Sequence, residues 1–351
     1  MASAKLAVGL DIGSASVKLV QLKAKKGTYA LQAFGSVPLP PEAIVDGALM
    51  NSAAIVNAIQ ELVAQHRVRA KDVAIGVSGH SVIIKKISLP RMTQEELDES
   101  IQWEAEQYIP FDIKDVNIDT QILPSDNASG QMDVLLVAAK KEMINDYTSV
   151  CAEAGLTASV VDVDAFAVQN AYEASYGADP SQTVVLVNVG AAVANINILA
   201  AGSTTFTRDI TMGGNAFTEE IQKQLNISYD EAEALKVGGQ GETDAVVPQE
   251  VERVIQGVAE QLGGEIQRSL DFFASTAGDA RIARIYLSGG TARIPALFKS
   301  IESRAGVPVE VLNPFKGIEI DNRTFEAGAL LAAAPAAAVG VGLALRRAGD
   351  K

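Results

Sequence analysis

Cysteine occurs once in 351 residues, at Cys151, and histidine only twice, at His66 and His80. A single thiol excludes an internal disulfide framework and fits a reducing compartment. It follows Ser149 and Val150 in an expected helix, where it reads as a small core residue. Two histidines without neighbouring cysteines or carboxylates do not build a zinc site. No nucleophile elbow is present, which argues against a Ser/His hydrolase. GxxxxGK[ST] is missing and no GxGxxG follows the first strand, so the chain is neither a P-loop nor a Rossmann protein. Basic charge is also short. Lys and Arg number 29 against 43 Asp and Glu, a net charge of −14. That balance argues against nucleic acid and against direct binding to an anionic membrane, and leaves room for a basic partner.

Long apolar runs are scarce as well. The opening, MASAKLAVGLD, reaches an acid too early for a signal peptide. Residues 328–345 carry no charge, near the lower length limit for a membrane span. They are mostly alanine and glycine, Pro335 interrupts them, and Arg346 and Arg347 end them. The expectation is two buried helices and no direct membrane insertion.

What remains is globular: 48% apolar, 21% charged, and long enough for two domains. LAVGLDI and SVKLVQL read as strands, and TYALQAF extends the meander. A helix follows from about Ser52, with Ile55, Ala58, Ile59 and Leu62 on one face, and VAIGVSG is a buried strand. Residues 81–157 read as an inserted α+β module. Thr93 and Glu96 form a capping box for a helix through Leu97, Ile101, Ala105 and Tyr108, stopped by Pro110. VNIDTQIL and QMDVLLVAA are strands around an SDNASG turn, and KEMINDYTSVCAEAG is a helix with Gly155 past its end. The α/β pattern resumes with ASVVDVDAFAVQNAYEA. Ser228 and Glu231 cap the helix YDEAEALKVGG. A longer helix carries Val251, Val258, Leu262, Ile266 and Leu270 as a core stripe.

VGLDIGSASVKLV near the start and VLVNVGAAVANINIL in the second half share one plan: apolar strand, small-residue turn, return strand. Gly13 matches Gly190 and Asp11 matches Asn188, each 177 residues apart. The recurrence predicts two related domains facing each other. Backbone N–H groups in such turns can cradle phosphates from two sides, with Asp11 holding Mg²⁺ through water and Lys18 reaching a phosphate oxygen. Gly289 and Gly290, between a strand and a helix, offer a flat surface for an adenine. Glu219, Glu220 and Lys223 follow Gly213 and Gly214 on one helix, at spacings that suit a ribose.

This order of turns resembles the actin/Hsp70/hexokinase ATPase superfamily. The finer resemblance is to the PilM family of type IV pilus assembly, related to the cell-division protein FtsA. Its marks are LDIGSASVKLVQL, SIQWEAEQYIPFDIKDVNIDTQIL, ITMGGNAFTEEIQKQLNISYDEAEALK, IYLSGGTARIPAL and NPFKGIEI, and it covers essentially the whole chain. The resemblance implies an actin-like ATPase fold, two RNase H-like domains around a nucleotide cleft. Domain 1 (subdomain 1A) would take residues 1–80, 158–185 and 325–351. An FtsA-type subdomain 1C would take 81–157, and domain 2 would take 186–324. It implies ATP and Mg²⁺ between the domains, on Asp11, Gly13, Ser14, Ser16 and Lys18 in the first phosphate motif. Asn188, Gly190 and Ala191 fall on the second, Gly289 and Gly290 on the adenosine motif. It implies a cytoplasmic protein peripheral to the inner membrane, binding the cytoplasmic N-terminal segment of PilN in a groove between 1A and 1C. A homo-oligomeric ring that meets the pilus motor ATPases and PilC belongs to the same picture. Tyr108, Ile109 and Phe111 are the expected peptide contacts.

The second hairpin departs from the family pattern, with Asn188 for an acid and Ala194 for a threonine. An amide lacks the charge that helps hold Mg²⁺ or polarise water, and a lost hydroxyl removes a hydrogen bond worth about 1 kcal/mol. The expectation is nucleotide binding with weak or no hydrolysis. Two rivals are a small-molecule kinase using Asp162 or Asp164 as base and an FtsA-like membrane-associated filament, which needs a basic amphipathic tail.

Overall fold

In the computed structural model, which describes residues 6–123, 130–238, 248–276 and 281–350, the expected meander opens the first sheet. Val8–Ile12 pairs antiparallel with Ser16–Lys25, and that strand with Thr28–Pro38. Asp72–Val77 and Thr157–Val163 add in parallel on one side, and Ile318–Glu319 closes the other edge. The second sheet repeats the plan. Thr183–Val189, Ala194–Ala200 and Ser203–Ile210 form the meander, with Ile282–Ser288 and Val309–Val311 parallel to it. The repetition extends to register: Asp11 stands opposite Lys18 as Asn188 stands opposite Asn195.

Each sheet has its own core. Ile55, Ile59 and Leu62 of the helix Ser52–Gln65 pack on the first sheet. Leu262, Ile266 and Leu270 of the helix Gln249–Thr276 pack on the second. A further cluster joins the two, with Ala74 and Val168 from the first domain and Leu186 and Tyr286 from the second. The C-terminal run completes it. Ala327–Ala333, a 3-10 turn Ala334–Ala337 and Ala338–Ala344 follow one another. Among the described residues, 327–344 are the one helical run long and apolar enough to cross a membrane, and 61% of it is buried. Its small residues have a specific use. A Cβ on Gly342 would lie 1.7 Å from the carbonyl oxygen of Ala167, and one on Gly9 would lie 2.1 Å from that of Gly340. Helix, strand and the helix Asp164–Tyr176 therefore touch backbone to backbone.

The inserted module is a three-stranded sheet, Val82–Pro90, Gln131–Lys140 and Val116–Leu123, with Gln131–Lys140 in the middle. The helix Gln94–Ala105 covers one face through Leu97, Ile101 and Ala105. Its capping box forms as read. The helix ends at Ala105, short of Tyr108, which closes a turn onto the Ala105 carbonyl. Residues 124–129 of the expected turn lie outside the described residues.

Three placements differ from the sequence reading. The helix Lys141–Glu153, assigned to the module, packs Met143, Tyr147, Val150 and Cys151 into the first-domain core. Its stripe is apolar on one side, and periodicity does not say which sheet it covers. Cys151 is fully buried there, and burial pushes its thiol up to about 12. The boundary at 186 cuts the strand Thr183–Val189, all of which belongs to the second sheet. Ile318–Glu319, assigned to domain 2, extends the first sheet.

Gly342→Ala is expected to cost about 1–3 kcal/mol in urea denaturation, because the helix must move to admit a methyl. Gly257→Ala, inside the helix Gln249–Thr276 with nothing within 4 Å of the added Cβ, is expected to stabilise by about 0.5–1 kcal/mol.

Candidate functional site

The two hairpin turns face each other across a cleft of about 380 Å³. Asp11, Gly13, Ser14, Ser16 and Lys18 line it from the first domain, and Asn188, Gly190, Ala191, Gly214, Gly289 and Gly290 from the second. Asp11 accepts a hydrogen bond from Lys18 across the strand pair, at 3.1 Å, and both side chains are largely buried. The pair sets a cation and an anion side by side at the cleft.

The glycines of the second domain are required by each other. Gly289 has φ +90°, and a Cβ there would lie 2.2 Å from the Val189 carbonyl oxygen. A Cβ on Gly213 would lie 2.5 Å from that of Gly190. The strand-end turns thus stack on the second hairpin, and Gly213 supports the cleft from behind without lining it. Nothing lies within 4 Å of a Cβ on Gly290, so that face is open to a flat ligand. Gly289 is tied to the C-terminal run by its N–H, which donates to the Pro335 carbonyl at 2.7 Å.

Glu219 and Lys223 are not in the cleft. They line a separate groove of about 1000 Å³, with Arg208, Asp209 and Arg253. They sit on the outward face of Gly214–Leu225; its inward face buries Phe217, Thr218 and Ile221. The next helix, Tyr229–Gly238, supplies the acid and amine instead. Glu233 and Lys236 both line the cleft. Lys236 is buried and donates to the Gly214 carbonyl at 3.2 Å and to Thr218 Oγ1 at 2.8 Å. It also pairs with Glu233 at 2.5 Å. Burial lowers its pKa, and Glu233 opposes that shift. Sequence spacing alone cannot choose between two consecutive helices that each carry Glu and Lys.

Asp164 is a further cleft residue. Its Oδ1 would lie 2.2 Å from a Cβ on Gly76, so that glycine is what admits the carboxylate against the strand. Burial pushes its pKa up to about 7, with Asp11 and Asp209 raising it further and Ser78 and Lys18 acting against them. Asp162, the other acid of VVDVDAF, faces away from the cleft. It is buried beside Arg346 at 3.4 Å, a structural pair between the first sheet and the chain's last turn. Burial raises its pKa, and Arg346 and the Val163 N–H oppose it. Ala194 does not face the cleft either. It is fully buried in the second core, and Asn195 is the neighbour that lines the site. A hydroxyl at 194 would point into the core, so its absence removes no contact from the cleft.

Among the described residues no group of three or more His, Cys, Asp or Glu gathers as a metal cage. Magnesium usually takes one or two carboxylates and completes its shell with water and phosphate oxygens. Asp11 fits that role, and Asp164 stands close enough to feel its charge. Mg²⁺ and nucleotide phosphates suit a cleft built from these acids, Lys18 and open backbone turns.

A profile of the type IV pilus assembly protein PilM matches residues 9–348. The chain belongs to the PilM family. It is also similar to a solved structure described as a PilM-PilN type IV pilus biogenesis complex. The two are 31% identical with a TM-score of 0.86, covering 97% of this chain and 98% of that one. The cell division protein FtsA of Enterococcus hirae is 24% identical over 358 residues, 90% of this chain and 79% of that protein. Two more distant structures share the fold. The ethanolamine utilization protein EutJ of Carboxydothermus hydrogenoformans is 16% identical with a TM-score of 0.58, covering 97% of this chain and 89% of that one. MreB5 of Spiroplasma citri bound to ADP is 13% identical with a TM-score of 0.51, covering 96% and 94%. The PilM family member described here has the actin-like ATPase fold expected from its sequence.

Asp164 carries a pH signature. Its pKa rises on folding, so between about pH 4, where the unfolded carboxyl ionises, and its folded value of about 7, the folded state holds a proton that the unfolded chain releases. Stability falls as pH rises through that window and is level above it. Asp164→Asn removes the penalty. Its advantage over the parent chain in denaturant unfolding is expected to be absent near pH 4 and to grow by at most ~1.4 kcal/mol per pH unit up to neutrality. An advantage flat with pH would place the carboxyl in water.

Proposed function

We propose that this chain is a nucleotide-binding adaptor of the type IV pilus machine. ATP with Mg²⁺ occupies the cleft, and the cytoplasmic N-terminal segment of PilN docks in a groove between the first domain and the inserted module, the FtsA-type subdomain 1C. The observation that carries the reading is the likeness, over nearly the full length of both chains, to the protein of the PilM-PilN complex. The facing hairpins support the nucleotide, as does the ADP-bound state of the more distant MreB5. In this reading Lys18 and the turns of Gly13 and Gly190 receive phosphates, Asp11 receives the metal, and Glu233 and Lys236 meet the sugar. The protein works in the cytoplasm, held at the inner membrane through PilN, as part of a ring that contacts PilC and the motor ATPases.

The module supplies a place for the peptide. Val82–Pro90 packs beside Ser203–Ile210 of the second domain. Among the described strands, Val116–Leu123 pairs only with Gln131–Lys140, which leaves its outer edge open to strand addition. Its exposed Asn117, Asp119 and Gln121 alternate with half-buried Ile118, Thr120 and Ile122. Tyr108 and Phe111 are half-buried at the base of this sheet, and Ile109 is buried in its core. In this reading Tyr108 and Phe111 meet the peptide, and Ile109 acts by packing.

Hydrolysis is weak or absent in this reading, because the second hairpin offers Asn188 where a charge would hold or polarise. A Mg²⁺-dependent turnover of ATP abolished by Asp11→Ala would overturn that part.

Titration of a fluorescent PilN N-terminal peptide into the protein, with and without Mg-ATP, tests the whole proposal. Saturable binding is expected, and no binding under either condition sinks the adaptor. For the cleft, Lys236→Met is expected to weaken a fluorescent ATP analogue about ten-fold, equivalent to ~1.4 kcal/mol. Lys223→Met, in the neighbouring groove, is expected to leave it unchanged. Equal effects of the two would put the sugar on the wrong helix.

A further inference from the structure

At the cleft end of the second sheet, four polar side chains stand at one level across four adjacent strands. Ser288, Asn188, Asn195 and Asp209 are direct register partners in turn. Ser288 Oγ donates to Asn188 Oδ1 at 3.1 Å, Asn188 Nδ2 to Asn195 Oδ1 at 3.2 Å, and Asn195 Nδ2 to Asp209 Oδ1 at 2.8 Å. The other Asp209 oxygen leaves the second domain and accepts the backbone N–H of Gly79 at 2.7 Å. We propose that this chain is a polarity-matched clasp that fastens the second hairpin to the turn where the inserted module leaves the first domain.

The direction of the chain follows from its end. A carboxylate only accepts, so Asn195 must turn its amide nitrogen to Asp209 and its oxygen to Asn188. Asn188 must then donate to Asn195, which turns its own oxygen to Ser288. An aspartate at 188 would set an acceptor against an acceptor. Asn188 is thus the residue type that the clasp demands at a strand end where the first hairpin has Asp11. There the opposing partner is Lys18 and the contact is an ion pair. Ser288, Asn188 and Asn195 are buried, where a mismatched polar pair is costly.

The far end of the clasp is also specific. The Gly79 carbonyl accepts from Val82 N at 3.0 Å, and the Ser81 carbonyl accepts from Lys140 N at 3.0 Å. Both bonds start the module's sheet. Asn188 and Asn195 line the cleft, so a shift of the second hairpin is passed to the strand Val82–Pro90. The clasp goes beyond the proposed function and stands whatever ligand the cleft takes. As positioning residues, Asn188, Asn195 and Asp209 act through the Gly79 turn.

The test is hydrogen–deuterium exchange of the full chain without ligand, read at the Gly79 amide. Asn188→Asp alone is expected to speed that exchange about ten-fold, equivalent to ~1.4 kcal/mol. Asp209→Asn alone is expected to be mild, because all three amides can turn round and the Ser288 hydroxyl can accept. In the double variant the reversed chain ends on an acid at 188, so Asn188→Asp should there have little effect. Equal effects of Asn188→Asp in both backgrounds, or none in the parent, overturn the proposal. If Asn188→Asp unfolds the protein, seen as faster exchange in Val8–Ile12 as well, Asp209→Ala replaces it. That variant must speed Gly79 while leaving Val8–Ile12 unchanged, and failure to do so is equally fatal.

Discussion

The first-domain wall of the cleft is positioned by one close approach, that of the C-terminal helix Ala338–Ala344 to the first strand and to Asp164–Tyr176. Gly9 and Gly342 sit where a single methyl would strike backbone, and Gly340 where it would meet the Val20 side chain at 2.9 Å. Their absence of side chains lets three elements share one layer. That layer fixes Val8–Ile12, which carries Asp11, and Asp164–Tyr176, which begins at Asp164. The same run reaches the second domain, because the Pro335 carbonyl accepts the Gly289 N–H. A run of alanine and glycine, apolar enough to suggest a membrane by composition, is thus the part on which both walls of the site rest.

The two hairpins show how a duplicated frame acquires two chemistries. Register, turn length and the place of the polar residue are the same in both. The side-chain pair across the strands differs. Asp11 and Lys18 form a half-closed ion pair at the cleft, whose charges a phosphate and a metal can each recruit. Asn188 and Asn195 are neutral, buried and committed to a hydrogen-bond line. Buried polar groups are tolerated when each donor meets an acceptor, and here that condition is met only through an acid on a third strand, Asp209. The asymmetry leaves a charged pair on one hairpin and a neutral hydrogen-bonded pair on the other, while both turns still line the cleft.

Much of this was legible in the sequence for reasons that are local. Strand–glycine–strand units, capping boxes at Thr93 and Ser228, and a stripe over Val251, Val258 and Leu262 depend on neighbours within a few residues. The hidden parts depend on which element packs on which. Lys141–Glu153 has one apolar face, and periodicity does not name its sheet. Glu219 with Lys223 and Glu233 with Lys236 are equally good pairs on successive helices. The difference is that Thr218, one turn from Gly214, receives Lys236 from the next helix. Asp162 and Asp164, two residues apart, point to opposite sides because they straddle the end of a strand and the start of a helix. Their pattern signals both roles and assigns neither.

Asp164 and Asp209 connect the site's two halves electrostatically. Asp209 raises the pKa of Asp164 although the two sit on different domains. A cation brought into the cleft would favour the ionised form of Asp164. The charged pair of the first hairpin and the neutral line of the second are complementary: one gathers charge at the cleft, and the other spans the domains with a single anion at its end.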